Sequence, residues 1–321
     1  MKNFSLLLLS LLLGFQNINS QTDDGRASDS KLIEVSKGIY LYQNRGGNIG
    51  ISIGPDGIFM IDDQYEEITE DLLKDLKKLS KDDVDFVINT HHHGDHTGGN
   101  ANMVKEGATI ISHSNVRKRL QDYLAENSSV KIDERILPTL TFHNDITFHY
   151  NREEIYVFHI EKAHTDGDVI VHFKGSNVVH TGDAFVNGQY PFIDSRNGGS
   201  VQGYIDGIET ILSTIDKDTK VIPGHGNIAN YQDVRAMGSL LTNAWKRVAY
   251  HFLKGKSEQE ILRMTDITKE YDDKGFGDGY ITRERFLKSI YDEVAVAYDQ
   301  RDYYDRKDQI EKIKKDQDGG K

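Results

Sequence analysis

A chain of 321 residues, 37% of them hydrophobic, is long enough to bury a large core, and its formal charge of −12 argues against nucleic acid, whose phosphates demand a basic surface. The absence of cysteine excludes disulfides, thiolate nucleophiles and thiolate metal ligands together.

The first residues read as a secretory signal. Lys2 supplies the positive start, Phe4 to Phe15 form a short apolar run, and Asn19 and Ser20 offer a cleavage point. The expectation is a signal peptide at 1–20 and an exported protein, periplasmic or secreted after cleavage. The run is shorter than the roughly 20 residues that span a bilayer, and no later segment is apolar for that long, so no membrane span is expected in the mature form. Residues 21–30 are polar and charged and read as a flexible leader.

Order is expected from near Leu32. Short β-rich runs at Ile39 to Leu41, Ile49 to Ile53 and Ile58 to Ile61 are divided by Gly46-Gly47 and by the turn Gly54-Pro55-Asp56-Gly57, a hairpin meander. Ile68, Leu72, Leu76 and Leu79 recur at helical spacing, and Val84 to Ile88 reads as a buried strand running into Asn89 to Asn100. A helix, a strand at Thr109 to Ser112 and a second helix are expected up to Leu124. Ile146 to Tyr150 and Ile155 to Ile160 should pair around Asn151 to Glu153, with strands at Val169 to Phe173 and Asn177 to His180 after them. A helix carrying Tyr204, Ile208, Ile211 and Ile215 precedes a strand at Lys220 to Ile222, and the chain to about Tyr298 reads as mainly helical. β-rich and helical stretches in both halves suit sheets packed face to face with helices outside. Residues 299–321, dense in Asp and Lys, read as a charged, fraying tail.

The segment Thr90-His91-His92-His93-Gly94-Asp95-His96-Thr97-Gly98-Gly99 carries the strongest chemical signal. Alternate side chains of an extended segment share a face, so His91 and His93 can converge on one cation while His92 points away. Asp95 and His96, just past Gly94, can turn to a second cation. Four candidate ligands at a strand-to-loop junction exceed what a structural histidine or a loose histidine tract provides. His164 in Ala163-His164-Thr165-Asp166-Gly167-Asp168, Asp183 in His180-Thr181-Gly182-Asp183 and His225 in Pro223-Gly224-His225-Gly226 would complete two shells if they fall at other strand ends.

With these elements in this order, the stretch from Ile33 to Ala229 resembles the metallo-β-lactamase superfamily. The resemblance implies an α/β fold, a four-layer αββα sandwich, and a hydrolase domain spanning 31–298 with its C-terminal helices. It implies two zinc ions: His91, His93 and His164 at the first site, Asp95, His96 and His225 at the second, and Asp183 bridging them. The implied chemistry is attack by a metal-bridging hydroxide, oriented by Asp95, on the carbonyl of a small ester, thioester, lactone, β-lactam or other amide substrate. Nitrogen and carboxylate donors suit Zn²⁺.

The remaining candidates are weaker signals. His92, His113, His143, His149, His159, His172, His180 and His251 fall at no ligand position and read as structural or surface residues. Asp168 is expected to brace the loop of His164 rather than touch metal. Asn48, after Gly46-Gly47, and Tyr190, in Gln189-Tyr190-Pro191-Phe192, are expected to reach substrate from loops around the cleft. A calcium loop at Asp272 to Ile281 fails on register, because Lys274, Phe276 and Arg285 stand where oxygen ligands belong.

Departures from known branches narrow the function. The lactamase branch with a cysteine ligand is excluded, and the acid balance disfavours the nuclease branch. The alternatives are an iron-dependent enzyme like the persulfide dioxygenases, separable by metal content, and a non-catalytic zinc-binding protein, which would bind metal without turnover. The expected partner is a small-molecule substrate.

Overall fold

The computed structural model describes residues 30–129, 132–298 and 312–313. The expected signal peptide, all of the leader before Ser30 and the charged tail apart from 312–313 lie outside the described residues. The strands are β1 (Lys31–Ser36), β2 (Ile39–Gln43), β3 (Ile49–Gly54), β4 (Gly57–Ile61), β5 (Val84–Asn89), β6 (Thr109–His113), β7 (Leu140–Phe142), β8 (Asp145–Tyr150), β9 (Glu153–His159), β10 (Val169–Phe173), β11 (Val178–His180) and β12 (Lys220–Ile222). The helices are α1 (Thr69–Leu76), α2 (Gly94–Thr97), α3 (Asn100–Lys105), α4 (Ser114–Glu126), α5 (Val201–Thr214), α6 (Tyr231–Leu253), α7 (Glu258–Leu262), α8 (Lys269–Asp272) and α9 (Arg283–Tyr298).

β1 to β7 form one sheet in sequence order, antiparallel as far as β4 and parallel from β4 to β7; the second sheet runs β12-β11-β10-β9-β8. Period-2 alternation makes each sheet two-faced. On β4, Phe59 and Ile61 face the space between the sheets, where they join Val171 and Phe173 of β10, whereas Ile58 and Met60 face outward onto Leu72 and Leu76 of α1. On β10, Ile170 faces the opposite way, into a cluster with Ile208 of α5 and Leu241 of α6. Three apolar layers between four structural layers make the αββα sandwich.

The sequence reading places these elements closely, with physical reasons for the differences. The β8–β9 turn is the pair Asn151 and Arg152, at φ 53° and 64°, the left-handed geometry of a two-residue hairpin. Helix α1 stops at Leu76, and Leu79, expected on its apolar face, is exposed beyond its end. The last long helix is tied back to the body: Glu293 of α9 accepts the backbone N–H groups of Val201 and Gln202 at 2.6 and 2.9 Å, filling unpaired donors at the start of α5. No helix among the described residues is long and apolar enough to cross a membrane.

What matters for function is the shared polarity of the strands. The parallel pairs β4–β5 and β11–β12, with β9 running the same way as β11, bring their C-terminal ends to one edge of the sandwich. Asp62, Thr90-His91, His164, Asp183 and His225 all follow those ends.

Candidate metal centre

Seven side chains gather at this edge. The ligand atoms of His91, His93 and His164 lie within 4.8 Å of one another, as do those of Asp95, His96 and His225, and those of His91, His96 and Asp183. Asp183 spans the two groups: Oδ2 is 3.6 Å from His164 Nε2, while Oδ1 is 3.3 Å from His96 Nε2 and 3.5 Å from His225 Nε2. Asp95 Oδ2 stands 3.1 Å from His225 Nε2. Local folding explains the arrangement. His91 and His93 leave β5 in extended backbone, with His93 at ψ 148°, and the single turn α2 then swings Asp95 and His96 around to the second group.

Four of the five candidate-ligand imidazoles are held by their other nitrogen. His96 Nδ1 donates to Asp62 Oδ2 at 2.7 Å, His93 Nε2 to Asp194 Oδ2 at 2.9 Å, and His164 Nδ1 to the carbonyl of Phe192 at 2.7 Å. The Thr90 hydroxyl gives its proton to Asp62, so it accepts from His91 Nδ1 at 3.1 Å. These bonds set the orientation of each ring and aim the opposite nitrogen into the centre, as a lone pair at His91, His93 and His164. His164 Nε2 and His93 Nδ1, both acceptors by this accounting, face each other at 2.9 Å. Two lone pairs at that distance repel unless a cation sits between them. Buried His91 Nε2 and Asp183 Oδ1 have no hydrogen-bond partner, an expensive condition that metal coordination relieves. The residues present therefore fit a pair of metal ions.

The electrostatics agree. Burial, with the charges of His96 and His164, pushes His91 well below the usual histidine range, and burial pushes His164 down to about 4, so both are neutral donors at neutral pH. For His96, burial opposes the charge but the fields of Asp95, Asp183 and Asp62 outweigh it and lift the ring well above its ordinary value. Burial likewise opposes ionisation of Asp95 and Asp183; facing His96 and His225, Asp95 nevertheless falls to about 2 and Asp183 well below the carboxylate range. His225 is raised too, against its burial, by Asp183 and Asp95, so the acids favour positive charge at the second group, carried by imidazole protons that a bound cation would displace.

Glycines admit the close packing. A side chain on Gly47 would overlap the His96 ring, and one on Gly224 would overlap Asp183 Oδ1. The Gly46-Gly47 loop is held by Gln64, which donates to the Gly47 carbonyl and accepts from the Gly46 N–H. The Tyr204 hydroxyl of α5 donates to the Asp183 carbonyl at 2.8 Å in full burial and fixes that backbone.

Asp168 accepts the N–H groups of His164 and Thr165 at 2.6 and 2.9 Å, bracing the loop as expected. His180 is wholly buried between the Gly182 N–H and the Asn48 carbonyl. Asn48 and Tyr190 depart from the expectation. The Asn48 amide is buried and donates to the carbonyls of Pro223 and Gly226, tying the loop of His225 to β3. Tyr190 is 2% exposed, stacks on Phe286 at 4.6 Å and donates to Asp272 at 2.6 Å, so it belongs to the packing of the C-terminal helices. Neither side chain opens on the cleft. Sequence reasoning missed Asp62 and Asp194. The available signal for Asp62 was an acid directly after the apolar run Ile58 to Ile61. Its φ of 61° is a second mark, since a non-glycine residue held in that region is strained and such strain collects at functional sites.

A four-layer fold with a metal-binding cluster at the strand ends is what the chain presents, and the family model of the metallo-beta-lactamase superfamily matches residues 45–225; the chain belongs to that superfamily. The probable hydroxyacylglutathione hydrolase of Schizosaccharomyces pombe is 23% identical over 221 residues, covering 64% of this chain and 78% of that protein. The metallo-beta-lactamase type 2 of Bacillus cereus is 22% identical over 175 residues, 54% of this chain and 64% of its own, so the chain spans just under two thirds of that relative. Among solved structures, a metallo-beta-lactamase from Pontibacter korlensis superposes with a TM-score of 0.57 at 21% identity, covering 67% of this chain and 99% of that one. The DIM-1 metallo-beta-lactamase does so at 0.56 and 20%, covering 67% and 98%. Both likenesses show the shared fold.

Proposed function

We propose that this chain is an exported hydrolase that holds two zinc ions and opens the carbonyl-centred bond of a small ester, thioester, lactone or β-lactam. The observation that carries the reading is Asp183, whose two oxygens face the two donor groups, 3.6 Å from His164 on one side and 3.3 Å from His96 on the other. The names of the relatives, a probable hydroxyacylglutathione hydrolase and a metallo-beta-lactamase, support the carbonyl as target and put thioester and β-lactam bonds in the test. Export is supported by the run Phe4 to Phe15 behind Lys2.

Zinc held there would supply Lewis-acid polarisation of the carbonyl and a water acidified towards a pKa of ~7. The chain's own residues do the rest. Asp95, kept ionised and partly open to the cleft, offers a carboxylate that accepts a water proton and aims the oxygen. Asp62, Asp194 and Phe192 hold three imidazoles in their coordinating tautomer, so the donors need no reorganisation. The Phe192 ring, 5.8 Å from His93 and 5.7 Å from His164, shields that side from solvent and strengthens the local field.

The test is elemental analysis of the purified protein together with hydrolysis of a thioester, a simple lactone and a chromogenic cephalosporin on the same sample. Two zincs per chain with turnover of any of the three is the expected result. One iron per chain, or two zincs with no hydrolysis across the panel, would overturn the reading. N-terminal sequencing of protein recovered from the periplasm or medium tests export, with a new terminus just after Ser20 expected.

A further inference from the structure

Beyond the segment matched to the family, the loop from Gly275 to Ile281 between α8 and α9 returns to the rim of the metal centre. Phe276 and Ile281 anchor it: the Phe276 ring packs at 5.7 Å from Tyr190 and 5.4 Å from Tyr271, its carbonyl accepts the Tyr190 N–H, and Ile281 is 6% exposed. Tyr280, between those anchors, is 69% exposed and so contributes little to the loop's own packing. It is nevertheless held in place. The Arg285 guanidinium lies 4.5 Å from the ring centroid, and the same residue donates to the Tyr280 carbonyl at 2.8 Å. The edge-on partner of the Tyr280 ring, at 6.0 Å, is Phe192, whose own ring lies over His93 and His164. An aromatic surface thus begins at the first group of ligands and continues outward through the partly buried Phe192 to the exposed Tyr280.

We propose that Phe192 and Tyr280 form a specificity wall that selects substrates carrying a flat aromatic group next to the scissile carbonyl. The inference rests on the metal centre being the reacting site. An immobilised ring pays little ordering entropy when a ligand covers it, and an aromatic group laid against Phe192 and Tyr280 gains offset or edge contacts besides removing apolar surface from water. Arg285, by clamping Tyr280 from above, acts as its positioning residue. A small acyl group such as acetyl carries no ring to lay against them and gains none of this.

The experiment compares the acetyl and phenylacetyl thioesters of N-acetylcysteamine, whose leaving group carries no ring, in the zinc-loaded wild-type protein and in Tyr280→Ala and Tyr280→Phe. The wild type is expected to favour phenylacetyl. Tyr280→Ala should lower the phenylacetyl-to-acetyl ratio of kcat/KM about tenfold, mainly through KM, and Tyr280→Phe, which keeps the ring, should restore it. In parallel, calorimetric titration with phenylacetate and acetate reads the wall without turnover. Tighter binding of phenylacetate that Tyr280→Ala abolishes supports the wall even in a sample that hydrolyses nothing, where only the hydrolase reading fails. Equal binding of the two carboxylates by the wild type, or a preference that survives Tyr280→Ala, overturns the proposal.

Discussion

Asp62 Oδ2 lies 2.7 Å from His96 Nδ1, and both side chains are completely shielded from solvent. The same carboxylate accepts the Thr90 N–H and hydroxyl, each at 2.7 Å, so one acid just past β4 fixes both the first residue of the histidine segment and the imidazole at its end. Asp62→Ala leaves three buried donors unpaired. The expected loss is about 3–5 kcal/mol of stability and roughly 10- to 100-fold in zinc affinity. Denaturant unfolding and competition with a chromophoric chelator read the two effects, and a variant that keeps wild-type affinity would remove Asp62 from the centre.

Asp95 is the acid of the second donor group that also opens on the cleft, with 23% of its side chain exposed. Asp95→Ala is expected to lower the metal content from two ions to about one, and to remove most turnover, while thermal unfolding changes little. Unchanged stoichiometry and rate would refute the two-metal assignment.

The role of Asp194 is separable. Burial works against its charge, but hydrogen bonds from His93 and Asn197 hold the carboxyl well below the usual range. Asp194→Asn keeps the shape but can present an amide N–H to His93 Nε2, favouring the tautomer whose Nδ1 carries a proton. Zinc affinity at the first group should fall roughly tenfold or more, with a rate recovered by raising free zinc. A rate deficit that zinc does not rescue would point instead to a role in substrate binding.

A pH dependence follows from a histidine pair away from the ligands. The His113 and His159 rings stack at 3.8 Å and 5°. His113 donates through Nε2 to the His143 carbonyl and accepts the Asn115 N–H at Nδ1, which fixes it as neutral and caps α4. Burial, with the charge of His159, pushes it down to about 4. The unfolded chain, with a histidine pKa of about 6.5, binds the proton first as pH falls. The stabilisation is therefore complete above pH ~6.5 and is lost as pH drops towards 4. Melting curves of wild type and His113→Gln should converge across that window; parallel curves would exclude the pair as a source of acid sensitivity.

Much of the centre was legible because its ligands lie in short motifs next to glycines at strand ends, and the period-2 runs that place those ends are local features. The bracing acids were not legible in the same way. Asp194 reaches His93 across 101 positions, and only the packing of the second sheet against the first brings them together. Tyr190 misled for the converse reason. Its loop does border the cleft, through Phe192, but the side chain turns inward to Asp272, 82 positions on, because α8 and α9 pack over it. The neighbour two residues along holds the exposed edge instead.

The Glu293 carboxylate at the start of α5 sets an order of events in the making of the protein. Helix α5 carries Tyr204, whose hydroxyl pins the Asp183 backbone, so the bridging acid is coupled through one helix to a residue near the end of the described chain. A polypeptide emerging N-terminus first exposes all seven candidate ligands by residue 225, whereas Glu293 follows about seventy residues later and adds to the cap that Ser200 already gives α5. The last clamp on the helix that carries Tyr204 is therefore synthesised well after every candidate ligand.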